Sequence, residues 1–344
     1  MIHHSDNITI SIDNDYSKNH ICFIGKDYYY TIGDSISKNN NEILTKSFKS
    51  PLICSCDNYL YVYSDNFLMK FDNDLLSEQY DIGREIRAFG IKNNIFCGID
   101  KDFSPCIIEL DTMKEMTISP ETISFDKSYL NYSEFDNFKV ISSEHDDSQY
   151  LKSCAIIYNG EIIARCKGEY GEFIIHTKGE ELIVSSALNT SEPDIEKLDY
   201  STRENLQSDI FGGYFPEIAL EEKSKITFIG VSASSNPNIS IEDCLADKYH
   251  QSDIVAVINS DDMKIEKRHE TKKGERILYA DSEKAVTYYH GKYITRSLKD
   301  WKKLNSQKAS EIKKYGKYSF DACGDYVFVF DENTGKLLNK IPIK

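Results

Sequence analysis

The sequence predicts an all-β chain folded as a single β-propeller domain over residues 1–344, with seven blades as the best fit and six or eight as the bounds. Three observations carry the prediction. Short apolar segments alternate with turn residues along nearly the whole chain, the mark of closely spaced strands. Three stretches repeat one pattern, the sign of a repeat architecture. A free apolar segment near the start is matched by a last unit that reads one strand short.

The three matched stretches come first. Asp57-Asn58-Tyr59-Leu60-Tyr61-Val62 leads to Leu68-Met69-Lys70-Phe71-Asp72. Asn93-Asn94-Ile95-Phe96-Cys97-Gly98 leads to Ile107-Ile108-Glu109-Leu110-Asp111, and Gly324-Asp325-Tyr326-Val327-Phe328-Val329 leads to Phe330-Asp331 and on to Thr334-Gly335-Lys336. Each is a polar turn, an apolar strand, then an acidic or Gly-bearing turn into a more polar strand. The first strand of such a unit is expected between neighbouring blades and the last near the rim. Weaker copies follow at Ile21–Gly25 with Tyr28–Thr31, Phe138–Ser142 with Ala155–Ile163, Ile174–Ile183, Ile226–Gly230 with Ile254–Ile258, and Ala285–Tyr289 with Tyr293–Thr295. Asn159-Gly160 between apolar runs is a two-residue hairpin signal. With blades of about 40–50 residues, the chain holds close to seven.

The N-terminal Ile8–Ile12 strand is expected to complete the last blade and hide its open edge. Long inter-strand insertions are expected near 189–220 and 234–250. Short helices are expected around Pro193–Leu198, Ile241–Lys248 and Lys308–Lys314.

Composition sets the class. Hydrophobic residues at 40% and charged residues at 28% exclude a disordered chain, and 23 Tyr with 17 Phe favour pleated surfaces. No apolar run approaches the roughly 18 residues that span a bilayer. The start does not read as a signal peptide, so a soluble, cytoplasmic protein without membrane contact is expected. Nine Cys, most in apolar strand contexts, read as free buried thiols. Cys54-x-Cys56 has no second pair at zinc spacing, so no metal is assigned.

The formal charge of −15 is uneven. Residues 264–344 carry 19 Lys+Arg against 11 Asp+Glu, a net of +8; the preceding 263 carry 22 against 45, a net of −23. Such an acidic stretch reads either as a means of keeping the chain soluble or as a surface that steers a basic protein partner, and it disfavours nucleic acid.

Two segments resemble known repeats. Tyr326–Asp331 with Asn333–Leu338 is similar to a blade of the PQQ-like and WD40-like propellers, where the Asp and Thr-Gly-Lys set an outer hairpin turn. Thr295–Leu304 resembles a degenerate Asp-box hairpin of sialidase-type propellers, with the Gly and Thr between Asp300 and Trp301 missing. Both motifs imply fold and carry over no catalytic residue. Trp301, the only Trp, is expected to pack between neighbouring sheets.

The chemistry-bearing residues are few. Sialidase-type propellers gather Arg on a substrate carboxylate, and among seven Arg in this chain Arg84, Arg276 and Arg296 are the candidates for a central channel. The dense acidic run Glu144-His145-Asp146-Asp147 lacks the Gly a calcium loop needs, so it reads as a solvated loop. No nucleophile elbow, phosphate loop or catalytic metal signature is found, and no cofactor is assigned. The long 189–220 stretch holds aromatics, and Tyr200, Phe211, Tyr214 and Phe215 are the candidate partner-binding residues.

The leading expectation is therefore a non-enzymatic protein-binding propeller. Its Lys-, Asn- and Ile-rich, degenerate repeats resemble those of bacterial immunity-type proteins, which implies an intracellular protein that binds a basic toxin or another protein. The alternative is a propeller hydrolase or lyase acting on a sugar or lactone at the central channel.

Overall fold

In the computed structural model the described residues are 2–5, 8–12, 19–42, 48–118, 123–124, 130–143, 152–167, 173–178, 181–186, 194–198, 203–205, 214–222, 224–232, 252–259, 262, 264–313 and 316–343. They form strands and turns, with no helix among them. The chain divides into two compact units, Asp15–Glu172 and Met1–Asn14 with Phe173–Lys344.

The chain starts with the hairpin β1 (Ile2–Ser5) and β2 (Ile8–Ile12), which belongs to the second of these units. Four sheets build the Asp15–Glu172 unit. The first is β3 (Ile21–Ile24), β4 (Asp27–Ile32), β5 (Ser35–Lys38) and β6 (Asn41–Glu42). The second is β7 (Leu52–Cys56), β8 (Tyr59–Ser64), β9 (Phe67–Asp72) and β10 (Leu75–Asp81). The third is β11 (Ile86–Lys92), β12 (Ile95–Asp100), β13 (Pro105–Glu109) and β14 (Lys114–Glu115). The fourth is β15 (Ile123–Ser124), β16 (Leu130–Phe135), β17 (Phe138–Ser143), β18 (Ser153–Tyr158) and β19 (Glu161–Lys167).

The other unit holds the remaining four. The fifth is β20 (Phe173–Lys178), β21 (Glu181–Ser186), β22 (Asp194–Leu198) and β23 (Arg203–Asn205). The sixth is β24 (Tyr214–Glu222), β25 (Lys225–Ser232), β26 (Asp253–Asn259) and β27 (Ile265–Glu270). The seventh is β28 (Arg276–Ala280), β29 (Lys284–Tyr289), β30 (Lys292–Ser297) and β31 (Lys303–Lys308). The eighth joins β1 and β2 to β32 (Lys317–Cys323), β33 (Tyr326–Asp331) and β34 (Leu337–Pro342).

Every sheet is a meander of consecutive antiparallel strands, save one parallel pairing of β2 with β32. The leading strands β3, β7 and β11 neighbour one another, as do β20, β24 and β28. Small meander sheets in succession, leading strand beside leading strand, are blade geometry. The fold is all-β and of the β-propeller type.

Eight sheets stand among the described residues where seven blades were the best fit from sequence. The reason is the spacing. The leading strands of the first three sheets start at 21, 52 and 86, only 31 and 34 residues apart, because the hairpins of the first two sheets all close in two residues. The turn chemistry explains that economy. Asn39-Asn40, Asp57-Asn58, Asp65-Asn66, Asn73-Asp74, Asn93-Asn94, Asn159-Gly160 and His290-Gly291 all place two consecutive residues at positive φ. Asn, Asp and Gly tolerate that left-handed region, and paired left-handed residues make the tight turn whose twist suits a hairpin.

The three matched repeats each begin one strand after the start of an antiparallel meander, at β8, β12 and β33, rather than at its leading strand. The leading strands ahead of them were missed because residues such as Leu52-Ile53-Cys54-Ser55-Cys56 carry a weaker apolar pattern. The Ile8–Ile12 strand does join the last sheet, beside β32 and in parallel. The 189–220 stretch is not an irregular insertion: it contains β22, β23 and the start of β24. The helix expected at Pro193–Leu198 is strand β22, whose ladder to β21 satisfies the backbone of a segment shorter than two helical turns. In place of the helix expected at Lys308–Lys314, Lys308 closes β31 and residues 309–313 carry a turn; Lys314 lies outside the described residues. The segments 234–250, with its expected helix, and 144–147 lie outside the described residues.

Within the first unit the cores lie between sheets. Ile36, Ile53, Leu60, Val62, Met69 and Phe71 join the first and second. Tyr61, Leu68, Phe89, Phe96 and Ile108 join the second and third. Asn19 is a buried polar clasp across three sheets. Its side-chain amide donates to the Ile53 carbonyl (3.2 Å) and the Phe89 carbonyl (2.8 Å) and accepts from the Phe89 N–H (2.9 Å). It does for the leading strands what a backbone group would do.

Candidate functional site

An exposed edge in the second sheet is the best-formed candidate. The turn Asn73-Asp74 folds β10 back on β9, leaving β10 at the end of the order β10-β9-β8-β7. Among the described residues no strand pairs with its other side. Six of its seven residues are exposed and Tyr80 is half-buried. Leu75 is 74% exposed and Leu76 48%, and Phe67 at the start of β9 is 37% exposed.

Natural sheets rarely leave such an edge unguarded; short strands, charged side chains (Lys above all), Pro and β-bulges are the usual guards. The strands that finish the other sheets follow that rule. β6, β14 and β23 are two or three residues long. β27 carries Lys267 and Arg268, β31 carries Lys303 and Lys308, and β34 carries Lys340 and Pro342. β19 packs against β11. β10, Leu-Leu-Ser-Glu-Gln-Tyr-Asp, has neither Lys nor Pro and is not short; its guards are a bulge between Leu76 and Glu78 and the carboxylates of Glu78 and Asp81, all beyond the two leucines.

The electrostatics of this edge are acidic. Phe67–Glu85 holds five acids (Asp72, Asp74, Glu78, Asp81, Glu85) and two bases, Lys70 and Arg84. Lys70 is bound to Glu78 at 3.0 Å and Arg84 to Glu115 at 2.9 Å. The Tyr80 hydroxyl and then the Lys70 ammonium hold the Glu78 carboxyl below its ordinary range, so it stays ionised. Asp74 is bound to Lys38 at 2.9 Å. No ion pair among the described residues engages Asp72, Asp81 or Glu85.

A second polar cluster lies buried in the sixth and seventh sheets. The fully buried Glu275 accepts at Oε1 from the Thr287 hydroxyl (2.7 Å) and from Arg296 Nε (2.8 Å) and Nη2 (2.7 Å). Its Oε2 has no hydrogen-bond partner. Asp253, also buried, accepts from the Ile277 N–H (2.7 Å); burial, against that bond and with Glu275 nearby, pushes its carboxyl up to about 8. Trp301 stacks on His269 with centroids 5.0 Å apart, and the Arg296 guanidinium lies 5.3 Å from its ring centre. Trp301 packs against Ile229, Val255, Val257, Ile277, Ala280, Ala285 and Leu298, so the Asp-box-like hairpin sits against the core of two sheets. These groups hold sheets together; no group of three or more metal-ligating side chains occurs among the described residues.

The sequence candidates fall as follows. Arg276 is buried and Arg296 is committed to Glu275, both in the seventh sheet. Arg84 lies in the other unit, in its exposed pair with Glu115. Tyr214 and Phe215 open β24, opposite Ser232 and Val231 of β25. Tyr200 and Phe211 lie outside the described residues. Cys54 and Cys56 are half-buried free thiols of β7. The sequence reading missed Leu75 and Leu76, although an unguarded last strand after an Asn-Asp turn was there to be read.

No protein-family model matches the sequence, and no curated protein sequence matches it. Among solved structures the chain is similar to BamB from Moraxella catarrhalis, at 8% identity over 92% of this chain and 94% of that one, with a TM-score of 0.47. It is also similar to Hsv2 from Kluyveromyces lactis (9% identity, 95% and 100%, TM-score 0.42) and to the Pan2 WD40 domain from Neurospora crassa (12%, 86% and 90%, TM-score 0.42).

Proposed function

We propose that this chain is a non-enzymatic, protein-binding propeller. The observation that carries the reading is the β10 edge: exposed leucines at the end of a long last strand that carries no Lys or Pro, its guards being a bulge and two carboxylates. Exposed apolar groups on an ordered scaffold are what protein partners bury. The finer reading is a bacterial, cytoplasmic protein of immunity type whose partner is a basic toxin. The net charge of −23 over residues 1–263 supports a basic partner. The hydrolase or lyase alternative gains no observation, since Arg84 and Arg296 are engaged in ion pairs and Arg276 is buried.

The test is affinity capture from the native host with the intact chain as bait. The expected result is a stoichiometric, basic protein that dissociates as salt is raised. Recovery of the bare chain, together with turnover of generic ester or glycoside substrates, overturns the proposal.

A further inference from the structure

The β10 edge also fixes the form of the partner. We propose that it takes up an extended, cationic segment of another protein as an added strand. The inference rests on the protein-binding reading and deepens it.

Geometry supplies the first half. An end strand turns alternate N–H and C=O groups outward, and an extended segment satisfies them as a further ladder. Seven residues give room for such a ladder, whereas the two-residue ends at β6 and β14 do not. The register then assigns side chains to faces. Leu76, Gln79 and Asp81 lie opposite Phe71, Met69 and Phe67 on one face; Leu75, Glu78 and Tyr80 lie opposite Asp72, Lys70 and Leu68 on the other. The bulge at Ser77 divides the edge into an apolar end at Leu75-Leu76 and an acidic end at Glu78–Asp81.

Charge supplies the second half. Both bases of the hairpin region already hold carboxylates, leaving Asp72, Asp81 and Glu85 without a counter-charge among the described residues. A fitting strand therefore places apolar side chains against Leu75 and Leu76 and Lys or Arg against the acidic end. A second copy of this chain fits poorly, because pairing β10 with itself sets acids against acids.

The probe is a blocked Lys-Val peptide with two adjacent Val residues at one end and Lys residues at the other, added to the full chain and followed by amide hydrogen exchange. With peptide at about ten times Kd, the outward amides of residues 75–81 are expected to exchange about tenfold more slowly, with the protection fading as salt rises. The matching Glu-Val peptide, and a Lys-Val peptide with Pro at every second position, should give none. The variant Leu75→Lys/Leu76→Lys, at positions exposed enough to leave the fold intact, should abolish the effect. Absence of protection, protection elsewhere in the chain, equal protection by the Glu-Val peptide, or protection unchanged in the variant each overturns the inference. Capture from the host separates the two proposals. A partner held equally by wild type and variant sinks the edge and leaves protein binding standing. A wild-type chain that captures nothing and turns over ester or glycoside substrates sinks protein binding, while the peptide result still decides the edge.

Discussion

Glu275→Gln should destabilise the chain by about 3 kcal/mol, and the loss should largely disappear when Arg296→Met is added. The single substitution removes a charge from a fully buried carboxylate that holds Arg296, whose own side chain is only 13% exposed. Breaking one partner of a buried pair costs about 3–5 kcal/mol, because the other charge stays desolvated without compensation. Gln keeps one oxygen for the Thr287 hydroxyl and Arg296 Nε, which places the cost at the lower end. The double variant removes both charges, and such replacements are often neutral or stabilising. Only the Arg296 contact with Trp301 is lost outright, a term of about 0.5–1 kcal/mol. Trp301 is the only Trp and sits beside this cluster, so urea unfolding followed by its fluorescence reads the relevant region directly. At a slope of about 3 kcal/mol/M the single variant loses about 1 M in midpoint. A single variant within about 0.5 kcal/mol of wild type, or a double variant as unstable as the two singles summed, refutes the account of a paired buried charge.

Three further outcomes follow from buried contacts. Burial raises Asp253 to about 8, above its unfolded value, so the folded chain holds a proton that the unfolded chain releases. Its stabilising contribution is full below about pH 4 and is lost as pH rises through about 8, and Asp253→Asn, which still accepts from the Ile277 N–H, should flatten that decline in urea titrations across the range. Parallel curves for the two proteins would count against it. Asn19→Ala should cost about 3 kcal/mol, since it orphans the Phe89 N–H and removes two donated bonds; far-UV circular dichroism gives the total and accelerated exchange at the Phe89 amide gives the location. A Cβ at Gly90 would stand 2.2 Å from the Ile163 carbonyl oxygen, so Gly90→Ala must push β11 from β19 and should cost about 2 kcal/mol or more by denaturant unfolding.

The strands were legible because their signals are local. Tyr59–Val62, Ile95–Gly98 and Tyr326–Val329 are apolar runs between turn residues, and each is a strand. Asn159-Gly160 marked its own turn, at φ of 49° and 79°. Sheet number was harder, because it depends on how few residues each connection uses. Asn-Asn and Asp-Asn turns are as tight as Asn-Gly here, which shortens the early sheets below the assumed period. The clasp at Asn19 and the cluster at Glu275 were not legible at all. A buried Asn or Glu is the same letter as an exposed one, and Asn19 meets Phe89 70 residues away.

The β10 edge falls between these cases. Its exposure depends on what lies beside β10 in the fold, which no local pattern states. Its lack of Lys, Arg or Pro is nevertheless a sequence property. The chain places Lys, Arg or Pro on β27, β31 and β34 and cuts β6, β14 and β23 short. Those choices carry a purpose only if bare edges are harmful, since an open ladder recruits other strands. A chain that blocks these edges with Lys, Arg, Pro or shortness, and leaves one seven-residue edge with two exposed leucines guarded only by a bulge and carboxylates, has either a liability or a docking strand. The acids around it favour docking, because like charge keeps identical edges apart while admitting a cationic strand. The same edge can thus stay soluble alone and still bind, which is the combination a protein-binding scaffold requires.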